Sequence, residues 1–70
     1  MSITHNKSRL ANDPETELHE LANLADSENE LIRAAVALNP SATTSILVKL
    51  FSDESEHVQE CLRKRNDTKH

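Results

Sequence analysis

Seventy residues with 12 acidic and 8 basic side chains, a formal net charge of −4, one Cys and no Gly, Trp or Tyr describe one small domain, because so short a chain buries barely enough apolar surface to fold alone. A single Cys excludes an internal disulfide and a cysteine metal cage, and the absence of Gly excludes the close-approach loops that cradle phosphates. With Phe51 as the one aromatic residue, no platform exists on which to stack bases or sugars.

Ile, Leu, Val and Phe make up 16 of the 70 residues, just above the level at which a charged chain stays disordered, so stability has to come from helix packing or from an oligomer. Residues from Met1 to Leu10 hold no contiguous apolar stretch and do not read as a secretory signal. Residues before Asp13 read as the tail of an incomplete repeat. The first clear helix carries Leu18, Leu21, Ala22, Leu24 and Ala25 at helical spacing, and the second carries Leu31, Ile32, Ala35, Val36 and Leu38. A third follows with Ile46, Leu47, Leu50 and Phe51, and a fourth with Val58, Cys61 and Leu62. No period-two alternation persists, so the expected class is all-α. The longest uncharged run, Ala34 to Val48, contains Asn39, Pro40, Ser41, Thr43, Thr44 and Ser45, unlike the roughly 20 apolar residues of a membrane span. A reducing, cytoplasmic setting is the expectation.

Each stripe is preceded by a residue able to cap a helix. Ser27 with Glu30 has the spacing of a capping box, as does Asp53 with Glu56, while Thr16 and Thr43 are the expected caps of the first and third helices. Asp13-Pro14 and Asn39-Pro40 separate the helices, because the residue before proline is displaced from helical geometry.

Sliding the chain by 26 residues aligns Pro14 with Pro40, Leu21 with Leu47, Leu24 with Leu50, Glu28 with Glu54 and Glu30 with Glu56. Asp13-Pro-Glu-Thr, Leu21-Ala-Asn-Leu-Ala-Asp and Ile32-Arg-Ala-Ala-Val-Ala-Leu-Asn-Pro40, followed by Thr43, Leu47 and Leu50, resemble the leucine-rich repeat variant family. The second copy departs from that pattern, with Gln59 for the Arg, Arg63 for the Ala, and Arg65-Asn66-Asp67 in place of Asn-Pro, as a closing repeat would. The resemblance implies a short right-handed α-helical solenoid of about two and a half helix pairs, akin to HEAT and armadillo arrays, acting as a protein-binding scaffold. The expected divisions are a partial repeat at 1–13, a repeat at 14–39, a closing repeat at 40–66 and a frayed tail at 67–70.

Nothing points to catalysis: no nucleophile sits on a tight turn, and no glycine loop offers an oxyanion site. Cys61 reads as a small buried hydrophobe within its stripe. His5, His19, His57 and His70 have no ligand spacing, so neither a metal nor another cofactor is expected. The acidic first turns, Glu17, Glu20, Glu28, Glu30, Glu54 and Glu56, are expected to lie near one another and form a negative edge for a basic protein partner. Repeat ends expose apolar surface unless capped, so a homodimer through Leu10, or through Phe51 and Leu62, is also expected. The alternative is a nucleic-acid-associated regulator using Arg63, Lys64, Arg65 and Lys69, disfavoured by the net charge of −4 and the missing aromatics.

Overall fold

The computed structural model describes residues 3–67, with side chains placed for 7–65. Five helices follow one another: α1 (Ile3–Asn12), α2 (Leu18–Leu24), α3 (Glu30–Leu38), α4 (Thr44–Phe51) and α5 (Glu56–Asp67). No strand occurs among the described residues. The chain is thus all-α, a lone helix followed by two helix pairs stacked as a short solenoid. α2 to α5 fall on the four apolar stripes. α1 lies within residues 1–13, the span read as a partial repeat; its apolar content is too sparse to mark a helix by spacing, yet Ala11 is fully buried and Leu10 packs against the core. α5 includes Asp67, so the first residue of the tail expected to fray is helical; residues 68–70 lie outside the described part.

α3 is the central element. Its most extensive neighbours are α5 and α1, and it also touches α2 and α4. Between them these helices enclose one core in which Leu21, Leu50, Val36 and Val58 are the largest fully buried apolar side chains. Ala11, Ala34 and Ala37 are buried as well, and their small size lets the helix backbones approach closely. A radius of gyration of 11.1 Å equals the roughly 11 Å expected of a folded chain this long.

Two helix starts, those of α3 and α5, differ from the expected caps for one recurring reason. The acceptor expected to cap is used one turn early, inside the loop. Ser27 accepts from the Asn29 amide at 3.1 Å, and Asn29 then caps α3 by accepting from Leu31 N at 2.9 Å. Glu30 does not fold back to complete a box; its carboxylate accepts from Ser55 Oγ at 2.5 Å, across to the next repeat. In the following loop Asp53 accepts from Ser55 N at 2.9 Å, and the Ser55 hydroxyl accepts from Val58 N at 3.3 Å, so Ser55 rather than Asp53 serves α5. Thr16 donates its hydroxyl to Leu10 O at 2.7 Å, leaving Glu17 at the start of α2. Thr43 does precede α4, but makes no side-chain cap bond.

Candidate functional site

Two hydrogen-bond ladders, each repeating at 26 residues, hold the stack together and fix where the charged side chains lie. At one edge the Asn39 side chain, 2% exposed, donates from Nδ2 to Ala11 O at 2.9 Å and Asp13 O at 3.0 Å, while its Oδ1 accepts from Ser41 N at 2.9 Å. Asp13 accepts from Glu15 N in the same way, and Ser41 donates to Pro14 O. One repeat further on, Arg65 donates from Nη1 to Ala37 O at 2.7 Å and Asn39 O at 2.8 Å. Arg65 therefore occupies the Asn position of the pattern and serves the two equivalent carbonyls, although it is a different residue type.

At the opposite edge Arg33 bonds within and between repeats. Its Nη1 donates to Ser27 O at 2.7 Å, and its Nε and Nη2 donate to the two Asp53 oxygens at 2.6 and 3.1 Å. This bidentate fork fits guanidinium to carboxylate geometry. The hydrogen bond from Arg33 holds the Asp53 carboxyl below its usual range, and the bond to Asp53 raises Arg33 in return. Gln59, at the equivalent position, donates to Asp53 O at 2.8 Å and Leu50 O at 3.0 Å. Gln59 keeps the local loop bond and lacks the charge that would reach onward.

These ladders show that α1, α3 and α5 run in the same direction, with their C-terminal ends at the Asn39 edge. α2 and α4 return between them. The acidic first turns consequently do not gather on one edge, as expected from sequence, but divide between two. Glu17 and Glu20 lie at the start of α2, beside the Asn39 corner, whereas Glu28, Glu30, Glu54 and Glu56 lie at the Arg33 edge. The length of α2, about 10 Å for seven residues, separates the two groups. Sequence reasoning overlooked that paired helices run in opposite senses, so their first turns face opposite ways.

The Arg33 edge surrounds a shallow hollow of about 490 Å³. Among the residues lining it, the cations Arg33 and Lys49 are already paired with Asp53 at 2.6 Å and Asp26 at 3.0 Å. Glu28 and Glu54 line the same hollow with no ion pair to a described residue.

The other candidates sort by burial. Leu62 is 4% exposed and belongs to the core, so it cannot serve self-association; Leu10 is half-buried against the same core. Phe51 is 56% exposed and keeps its place on the surface, together with Leu18, Leu31, Leu38 and Val48. Cys61 is buried, as its position in the stripe implies. Of the basic cluster, Arg65 is committed to backbone carbonyls, and Lys69 lies outside the described residues. Among the described residues of that cluster, Arg63 and Lys64 are exposed. His19 and His57 are exposed; the side chains of His5 and His70 lie outside the described part. Among the described residues no three His, Cys, Asp or Glu side chains gather to hold a metal ion, and no helix is long and apolar enough to cross a membrane.

Comparison with curated proteins and with solved structures returns no match. The model of the Leucine Rich Repeat Variant domain matches residues 5–66. That span takes in all of α2, α3 and α4 and both ladders, whose period is the one that gives the repeat its pattern. The chain belongs to the Leucine Rich Repeat Variant domain family.

Proposed function

We propose that this chain is a non-catalytic protein-interaction module whose Arg33 edge receives a basic segment of a protein partner. Membership of a repeat family supports the general reading. One observation carries the specific one: four glutamates, Glu28, Glu30, Glu54 and Glu56, project from the starts of two parallel helices while the nearby cations Arg33 and Lys49 are paired with Asp53 and Asp26. Each helix N-terminus supplies about half a positive charge. Two such ends offset only about one of the four carboxylates, so the edge keeps a net charge near −3 that a cationic segment would neutralise. Exposed pairs contribute little singly, and the affinity of such a contact rests on several acting together, with strong salt dependence.

The test is fluorescence anisotropy with a labelled Lys/Arg-rich peptide at low ionic strength, comparing the natural chain with the fourfold variant Glu28→Gln, Glu30→Gln, Glu54→Gln and Glu56→Gln. Binding that weakens with salt, and by at least about tenfold in the variant, supports the reading. No binding, or equal binding by both proteins, refutes it.

A further inference from the structure

Comparing equivalent positions along the stack shows which face a following repeat would cover. Leu21 of α2 is fully buried, and Ala25, which caps the end of that helix, is 4% exposed. Twenty-six residues on, in α4, Leu47 is half-buried and Phe51 is 56% exposed, with Val48 beside them at 54%. α4 reaches back to α2 through Lys49, which donates to Ala22 O at 3.4 Å and to Asp26 at 3.0 Å, and among the described helices α3 and α5 are the ones that pack extensively on α4. α3 and α5 differ in a similar way. Ala34 and Ala37 are buried in α3, whereas Glu60 and Arg63 at the same positions of α5 are exposed. The C-terminal end of the stack is therefore apolar on α4 and charged on α5.

A further helix pair in the same register does not fit this end, because Arg63 stands where Ala37 permits close helix contact. The charges nevertheless have a pattern of their own. Glu60 and Arg63, opposite in sign and close to one turn apart on α5, form no ion pair with a described residue. A two-fold axis places each residue of one copy against the other residue of its mate, which is the self-complementarity that an isologous interface requires.

We propose that this end of the stack pairs with the same face of a second copy of the chain, with Val48 and Phe51 packed at the centre and Glu60 and Arg63 joined reciprocally across the axis. The covered apolar surface would include the single aromatic residue of the chain, and the two reciprocal ion pairs would set the register. The dimer leaves Glu28 and Glu30, on the preceding repeat, at the acidic edge. It can stand or fall independently of peptide binding there.

Sedimentation velocity on the full chain from about 5 to 500 µM in reducing buffer, a span that covers dissociation constants expected of small interfaces, provides the test. A dimer of the natural chain is expected, and Phe51→Ser should raise its dissociation constant at least about tenfold. Arg63→Glu turns two attractions into two repulsions and should weaken it by about tenfold. The double variant Glu60→Arg with Arg63→Glu should recover the natural value within about threefold, and an equimolar mixture of the two single charge variants should form a heterodimer. Far-UV circular dichroism checks that each variant, altered only at exposed positions, keeps its helices. A monomer throughout the range overturns the proposal. So does a dimer unmoved by Phe51→Ser, or one in which the double variant fails to recover.

Discussion

Replacing Asn39 by Ala removes the side chain on which the contact between the first two repeats turns. The backbone there has φ −71° and ψ 122°, an extended conformation that Ala adopts without strain, so the cost falls on the side-chain bonds. Three are lost: two donated to Ala11 O and Asp13 O, and one accepted from Ser41 N. At about 0.5–1.5 kcal/mol each, with the upper part of the range applying where the Ala11 carbonyl is left buried, the sum is about 3 kcal/mol. A domain of this length is stable by about 4–10 kcal/mol, so the variant should unfold at a much lower urea concentration with an unchanged m-value. Arg65→Ala removes the equivalent pair at the part-buried end of the stack, where water replaces the donor, and should cost about 1 kcal/mol. Urea titrations followed by far-UV circular dichroism measure both. A loss below about 0.5 kcal/mol for Asn39→Ala, or a larger loss for Arg65→Ala than for Asn39→Ala, would refute the assignment of the ladder as the main inter-repeat contact.

Asp53→Asn should reveal the Arg33 pair through pH. The folded-state carboxyl lies below its ordinary 3.8, so its stabilisation is complete above that value and is lost as pH falls towards and through the lowered one. The natural chain should exceed the variant by about 1–3 kcal/mol at neutral pH, and the two should converge below pH about 2; a constant difference down to that pH would exclude the charge as its source. The raised value of Arg33 implies a loss only in strongly alkaline solution, outside the stable range. Leu62→Asp places a carboxylate at a position that is 4% exposed and should abolish the helical signal at 25 °C, as a buried unpaired charge costs several kcal/mol. A folded variant of unchanged helicity would overturn the placing of Leu62 in the core.

Apolar spacing made α2 to α5 legible, because each buries one stripe and the stripes repeat at the period of the fold. α1 has no apolar stripe of its own and was legible only through the 26-residue repeat, as the tail of an incomplete copy before Asp13; among its described side chains Ala11 is fully buried and Leu10 packs against the core. The caps were misplaced because Ser, Asn and Asp crowd the loops, and spacing alone does not say which acceptor meets a loop amide and which meets a helix. Ser27 and Asp53 each bond two residues ahead, so Asn29 and Ser55 take the caps. The acidic edge was half legible. Composition located every glutamate, but dividing them between two edges required the opposite running of paired helices.

The second copy of the repeat departs from the pattern in residue type while retaining much of its bonding. Gln59 replaces Arg33 and still donates to the loop carbonyl six residues back; Arg65 replaces Asn39 and still serves the two carbonyls of the preceding helix end. What the stack requires at these positions is a donor of sufficient reach, and several side chains meet that requirement. Requirements that depend on a following repeat are different: Gln59 has no charge to pair onward, and Glu60 and Arg63 replace the alanines that allow close packing. Loss of the repeat pattern thus has two physical meanings within this one chain. Where the backbone still needs a donor, the chemistry changes and the contact survives; where the next helix is no longer accommodated, the side chains are released from packing. Those released positions, with Val48 and Phe51 beside them, form the face on which recognition of a second copy is expected to rest.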